Sequence, residues 1–178
     1  IDIGAHIGIF SVFAAKHQKA VKVISFEPMD ENFQLLKKNI QNNNLEKFII
    51  PVKTGVGKKK EKRKLYLNEG NSGGHSLFPN LIRKNASYTT IRIVSLEDVF
   101  HEHKISVCHL LKMDCEGAEY EILYNAPSRI LKKIGAIAME YHANGDVEPL
   151  IVFLQKNGFT VTRGRKNFPI LFAVRKKT

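Results

Sequence analysis

The sequence predicts an α/β protein: a mostly parallel sheet with helices on both faces and an antiparallel hairpin at the C-terminal end. Three observations carry this. Short apolar runs rich in β-branched residues alternate with segments whose apolar residues recur at helical spacing. Strands and helices alternating in this way connect by right-handed crossovers, which stack the strands in parallel. After the final helix, two strand-like runs follow each other with only a turn between them. At 178 residues the chain reads as a single domain over 1–178. A domain of that size buries on the order of 70% of its unfolded surface and needs no metal or disulfide to fold.

Taken in order, Asp2-Ile3 leads into a turn at Gly4, and Ile7 to His17 continues as a helix with Ile9, Val12 and Phe13 on its apolar face. Ile1 already stands inside what reads as the central strand, so residues of the natural protein are expected upstream. Val21 to Phe26 is a second strand, stopped by Pro28, and Asp30 is placed to cap a helix carrying Phe33, Leu36 and Ile40. Asn42-Asn43-Asn44 closes that helix. Phe48 to Val52 is a third strand, followed by a turn at Thr54-Gly55-Val56-Gly57. Lys64 to Leu67 alternates as an added strand. Asn68 to Asn80, rich in glycine, serine and asparagine, reads as a mobile loop over one face. Ile91 to Val94 is strand-like, and Ser95-Leu96-Glu97-Asp98 has the spacing of a capped helix start. Val107 to Met113 is an apolar strand ending in Asp114-Cys115-Glu116-Gly117, with a helix from Ala118 to Tyr124. Ile134 to Tyr141 is the next strand. Asp146 caps a helix bearing Val147, Leu150, Ile151 and Leu154, and Phe159 to Thr162 pairs with Ile170 to Val174 across a turn at Arg163 to Pro169.

The formal charge is +11, which suits an anionic partner or a solvated basic surface. Much of it lies in Lys58 to Lys64 and in Arg163, Arg165, Lys166, Arg175, Lys176 and Lys177. No aromatic residues interleave the lysine run as stacking platforms, so the solvated reading is preferred. The two cysteines, Cys108 and Cys115, form no Cys-x-x-Cys, and Cys108 reads as a buried thiol in a reducing compartment. No apolar run approaches the roughly 18 residues of a membrane span, and no signal pattern opens the chain. The expected location is the cytoplasm.

In an open parallel sheet, ligands bind at the carboxyl ends of the strands near the switch in strand order. Five such ends carry polar residues here: Asp2 to Gly8, Glu27, Thr54 to Gly57, Lys112 to Glu119, and Glu140 with His142. The glycine turn before a helix is expected to leave backbone N–H groups free for a polar ligand. Its Asp-x-Gly spacing is not the dinucleotide Gly-x-Gly-x-x-Gly. An acid two residues ahead of the glycine fits a ligand with an ammonium group, such as the methionine part of S-adenosylmethionine. Glu27 follows at the interval where an acid grips both hydroxyls of a ribose. Asp114, Glu116 and Glu119 crowd one strand–helix junction beside Lys112. They would yield a base of raised pKa, hold a cation, or offset the helix dipole. His142 could accept a proton near neutral pH, and His75 in the loop could close on a substrate.

Together these segments resemble the FkbM family of S-adenosylmethionine-dependent methyltransferases. The likeness runs from Asp2-Ile3-Gly4-Ala5-His6-Ile7-Gly8 through Phe26-Glu27-Pro28, with Asn32-Phe33 and Leu36 behind it. It continues through Ser95-Leu96-Glu97-Asp98 and Lys112-Met113-Asp114-Cys115-Glu116-Gly117-Ala118-Glu119 to Glu140-Tyr141-His142. The Lys-x-Asp-x-Glu-Gly-x-Glu element is its most specific part. One departure is His6, where the family usually has asparagine. The resemblance implies a Rossmann-like class I fold with a seven-stranded sheet, S-adenosylmethionine as cofactor, and O-methylation of a hydroxyl on a sugar, glycan or natural product. By position, Asp2, Gly4 and Ala5 would contact the methionine part. Glu27, with Pro28 behind it, would take the ribose. Thr54, Gly55 and Val56 would pass the adenine, whose amino group finds no acid there. Asp114, which would also contact the cofactor, or Glu116 would act as base or orienter, with Glu140 and His142 as alternatives, and Lys112 and His75 would face the acceptor. No metal site is assigned.

Nucleic acid is a possible but unfavoured acceptor. The strand ending at Asp114 lacks Asn-Pro-Pro-aromatic, and no Pro-Cys or Thr-Cys nucleophile appears. A methyltransferase-like binding module without chemistry and a nicotinamide dehydrogenase are the other rivals. The missing Gly-x-Gly-x-x-Gly counts against the last.

Overall fold

The computed structural model describes residues 1–18, 21–165 and 168–176. Ten strands and six helices follow in chain order: β1 Asp2–Ile3, α1 Ile9–His17, β2 Val23–Phe26, α2 Asp30–Asn42, β3 Ile49–Val52, β4 Gly55–Gly57, β5 Glu61–Tyr66, β6 Tyr88–Ser95, α3 Leu96–Glu102, β7 Cys108–Met113, α4 Glu119–Asn125, α5 Ser128–Leu131, β8 Ile134–Glu140, α6 Val147–Lys156, β9 Phe159–Arg163 and β10 Ile170–Arg175. Seven of the strands form one sheet in the order β3-β2-β1-β7-β8-β10-β9, parallel throughout except for β10. Among the described residues no helix is long and apolar enough to cross a membrane.

The order of this sheet fixes where a ligand can go. From β1 the chain steps outward to β2 and β3, then returns to lay β7 on the other side of β1. The crevice at that reversal opens beyond the carboxyl ends of β1 and β7, where Gly4 and Asp114 stand. The larger core lies on the face of α3 to α6, around Leu111, Met113, Ile137 and Phe159. A smaller one, around Leu36, Ile40, Val23 and Ile49, lies under α1 and α2. On this side, among the described residues, α1 packs on β2 and β3 and α2 on β3. Lys112, Ala138 and Phe172 are lateral partners on that face, and Phe172 and Val174 are left exposed there.

Several local expectations change. Thr54 to Gly57 is not a turn. Gly55–Gly57 is a strand of a second, three-stranded sheet, β4-β6-β5, where it runs parallel to β6. The lysine run is likewise more than solvated turn, because Glu61–Tyr66 pairs antiparallel with Tyr88 to Ile93 of β6. Arg63 turns inward to Glu121 at 2.5 Å. Asp30 does not cap α2. Met29 holds the cap position without a side-chain bond, and the Asp30 carboxylate pairs with Lys53 instead. Of the apolar stripe on α1, Ile9 and Phe13 point outward, while Val12 packs against the smaller core beside the buried Ser11 and Ala15. The reason is close approach: Gly8 lies so near Leu36 that an added Cβ would meet its Cδ1 at 2.4 Å. β10 enters the sheet between β8 and β9, so the hairpin is not simply an added edge. Of the turn expected from Arg163 to Pro169, residues 166–167 lie outside the described residues, as does Lys177 of the basic cluster. Two caps form as read. Ser95 and Asp98 make a reciprocal capping box, and Asp146 accepts from the Glu148 N–H at 3.0 Å.

Candidate active site

The glycine turn closes against the neighbouring strands. Gly4 has φ +75, and a Cβ there would meet the Asp114 main-chain oxygen at 1.7 Å. Only glycine fits both the conformation and the contact. The N–H groups expected to be free are used locally. Those of Gly4 and Ala5 donate to the Phe26 carbonyl at 3.1 and 3.0 Å, and that of His6 donates to Glu27 Oε2 at 2.8 Å. His6 itself is left-handed, φ +51, a conformation in which asparagine and histidine are both enriched. Its Nε2 lies 3.0 Å from Ser72 Oγ.

Beyond this turn lies a cavity of about 720 Å³, open mouth included. Glu27, Pro28, Gly4, Gly55, Val56 and Asp114 all line it, as do Glu116 and His75. Glu27 is 5% exposed. Its second oxygen accepts from the Met29 N–H at 2.9 Å, so each carboxylate oxygen holds one backbone donor and keeps a lone pair for a ligand. Burial pushes its pKa up against those hydrogen bonds. The opposite wall is apolar and comes from the small sheet and the loop before it: Leu65, Leu77, Ile91 and Ile93. The alternation in Ile91 to Val94 marks a strand, but nothing in it says that this strand leaves the main sheet. Asn32 and Ser72 also line the cavity and were not anticipated. The Asn32 amide donates to the Ser72 carbonyl at 2.8 Å. The Asn68 to Asn80 loop is further tied by the Asn68 N–H to His75 Nδ1 at 3.0 Å and by Ser76 Oγ to the Glu116 carbonyl at 2.5 Å.

Three expected contacts fall outside the cavity. Asp2 is wholly buried beneath the turn, accepting from Ser11 Oγ at 2.6 Å. Its Oδ1 faces the Lys112 ammonium at 3.2 Å without a well-aligned hydrogen bond. Thr54 is buried and donates to the Lys53 carbonyl. Ala5 lines a second, more open hollow on the α1 side, together with Gly4, His6, Ile9, Phe10, Phe13, Lys112 and Asp114. Lys112 donates to the Gly4 carbonyl at 2.9 Å and lies 4.0 Å from Asp114 Oδ2. Gly4, His6 and Asp114 are common to both hollows.

The acids at the end of β7 gather around His142. Its Nε2 is 3.2 Å from Glu116 Oε2, and its Nδ1 is 3.2 Å from Glu119 Oε1, off the hydrogen-bond axis. Burial lowers the imidazole pKa, but the two carboxylates outweigh it and raise it to about 10. The ring is therefore cationic at neutral pH, with no lone pair for a substrate proton. Glu119, fully buried, accepts from the Cys115 and Gly117 N–H groups at 2.9 and 3.0 Å. Glu116, φ +51, and Gly117, φ +103, form the sharp bend that turns the Glu116 side chain back to this ring. Burial pushes the Asp114 carboxyl up, with Lys112 opposing, and raises Glu140 also. Glu140 lines neither hollow. Donor atoms of Asp114, Glu116 and His142 lie within 4.8 Å of one another, near enough to share a cation if the His142 proton left. Burial also pulls the His75 pKa down.

The sequence profile described as "Methyltransferase FkbM domain" matches residues 2–161. The chain belongs to the FkbM methyltransferase family. Among curated relatives, methyltransferase sdnD of Sordaria araneosa is 23% identical over 193 residues, covering 93% of this chain and 74% of the relative. The 31-O-demethyl-FK506 methyltransferase FkbM of Streptomyces tacrolimicus is 25% identical, with 90% and 72% covered. A crystal structure of methyltransferase FkbM from Methylobacillus flagellatus KT superposes with TM-score 0.66 at 18% identity, over 97% of this chain and 42% of that one. This places the fold among the Rossmann-like class I methyltransferases. This FkbM chain therefore spans less than half the length of that structure.

Proposed function

We propose that the domain formed by residues 1–178 is an S-adenosylmethionine-dependent O-methyltransferase acting on a hydroxyl of a small natural product or sugar. The observation that carries this reading is the placing of Glu27 and Asp114 on one cavity. A buried carboxylate with spare lone pairs stands at the tip of β2, and a second carboxyl of raised pKa stands at the tip of β7.

In this reading Glu27 accepts from the ribose hydroxyls. Gly55 and Val56 pass the adenine, with Ile91 and Ile93 beside them on the neighbouring strand. Gly4 lets the turn close directly against Asp114, and the methionine part lies along the β1 end beside it. Bound there, S-adenosylmethionine supplies an electrophilic methyl group. What remains for the protein is alignment of the acceptor and removal of its proton. Asp114 takes that role, standing where the two hollows meet. Glu116 and cationic His142 hold the end of β7 in place behind it, and Asp2 keeps Lys112 against the Gly4 carbonyl. Glu140 remains a less direct alternative to Asp114. Nucleic acid is not favoured as acceptor, since no Asn-Pro-Pro-aromatic motif follows β7 and no aromatic residues interleave the lysine run.

The test is calorimetry with S-adenosylmethionine, S-adenosylhomocysteine and NAD on the wild type and Glu27→Ala. Both adenosyl ligands are expected to bind, and the variant to lose on the order of 100-fold, the worth of two hydrogen bonds to a charged group. Tight binding of NAD alone would overturn the reading.

A further inference from the structure

We propose that the outward face of the small sheet is a docking platform for single-stranded nucleic acid, separate from the cavity and its methyl acceptor. Three successive cross-strand pairs of β5 and β6 build this face: Lys62 with Arg92, Lys64 with Thr90, and Tyr66 with Tyr88. Side chains alternate along a strand, so these six stand on the side opposite Leu65, Ile91 and Ile93, which wall the cavity. Lys62, Lys64, Tyr88, Thr90 and Arg92 are exposed. The platform runs about 14 Å from its cationic to its aromatic end, at the rise of an antiparallel strand.

Two observations select the partner. The first is charge. Lys59, Lys60 and Arg63 pair with Glu61, Glu102 and Glu121, whereas among the described residues Lys62, Lys64 and Arg92 make no ion pair. Lys62 also stands directly opposite Arg92, and like charges so placed repel. A polyanion relieves that repulsion and gains from releasing its own counterions. The second is aromatic surface. The lysine run has no aromatic residue of its own, but strand pairing brings Tyr88, 51% exposed, beside it. The Lys64 ammonium lies 4.0 Å from the centroid of that ring, and the Tyr66 ring lies 6.0 Å from it. Cations and rings sharing one sheet face suit phosphates joined to unpaired bases, the phosphates taking the cations and the bases stacking on the rings. A duplex keeps its bases stacked inside, and an acidic peptide brings charge without a flat π-face to match. The single strand is the polyanion that uses both features.

The experiment is fluorescence anisotropy over a salt series. The probes are a labelled decauridylate, an abasic decamer with the same phosphates, and a polyglutamate peptide of equal charge. The proteins are the wild type, Arg92→Ala, Tyr88→Ala and Tyr88→Phe, with thermal unfolding midpoints reporting that each fold is kept. The wild type is expected to bind decauridylate with log affinity falling against log salt at a slope of about −2, roughly 0.7 for each of three cations. Arg92→Ala should flatten that slope by about 0.7. Tyr88→Ala should weaken binding on the order of tenfold with the slope unchanged, and Tyr88→Phe should retain wild-type affinity. Should Tyr88→Ala fail to fold, the Arg92→Ala slope and the abasic probe still decide. Abasic decamer or polyglutamate bound as tightly as decauridylate would overturn the inference, leaving a face that reads charge alone. So would no binding at low salt, or binding indifferent to both Arg92→Ala and Tyr88→Ala. None of these readouts uses the adenosyl ligand, so failure here leaves the proposed function standing.

Discussion

The imidazole of His142, at the end of β8, lies 3.2 Å from Glu116, at the end of β7. The pair ties together the two strand ends that flank the candidate base. With Glu119 on its other nitrogen, the ring keeps its proton up to about pH 10. Because the folded pKa lies above the usual value near 6.5, the stabilisation is complete below that value and is lost as pH rises through about 10. His142→Gln is expected to cost about 1.5–3 kcal/mol at pH 6. Denaturant midpoints should show the gap between variant and wild type closing toward pH 10.

Asp114 carries the opposite expectation. Its pKa is raised by burial, so the acid limb of kcat/KM should sit above the position an ordinary aspartate would give. Asp114→Asn should lower kcat by 10²–10⁴-fold while S-adenosylhomocysteine still binds in calorimetry. Excess EDTA should leave wild-type turnover unchanged, since the His142 proton closes the nearest set of metal donors.

Gly4→Ala should be among the most damaging single changes. The new methyl would sit 1.7 Å from the Asp114 oxygen at a φ of +75, forcing β1 and β7 apart. A loss of at least about 3 kcal/mol is expected in chemical denaturation, with no measurable adenosyl binding.

His6 separates two roles in one residue. His6→Asn keeps a side chain suited to φ +51 but shortens the reach to Ser72. It should leave stability near wild type while amide exchange speeds up across residues 68–80. His6→Val, β-branched in the left-handed region, should lose both, with about 1–3 kcal/mol of stability.

How much of this was legible in the sequence depends on the range of the interaction. The main sheet, the Ser95 and Asp146 caps and the cavity residues Gly4, Glu27 and Asp114 follow from periodicity, local hydrogen bonding and strand-end position. These are short-range or topological rules. Asp2 and Thr54 read as ligand contacts and lie buried away from the cavity, because spacing places a residue near a strand end without saying which side its side chain takes. The outward position of Ile9 and Phe13 on α1 has a related reason. A helix packed by glycine and serine at close approach reverses the usual rule that the largest apolar residues face inward. The departure of β4 to β6 into a separate sheet rests on long-range pairing that alternation alone does not encode.

The insertion of β10 between β8 and β9 has a consequence for how the molecule comes to exist. During synthesis β9 emerges first but has no place to pair until the strand after it has been made. The outermost strand therefore waits on the innermost end of its own hairpin. A ribosome-bound chain stalled before Ile170 would hold β8 with a bare hydrogen-bonding edge, open to pairing with another such chain.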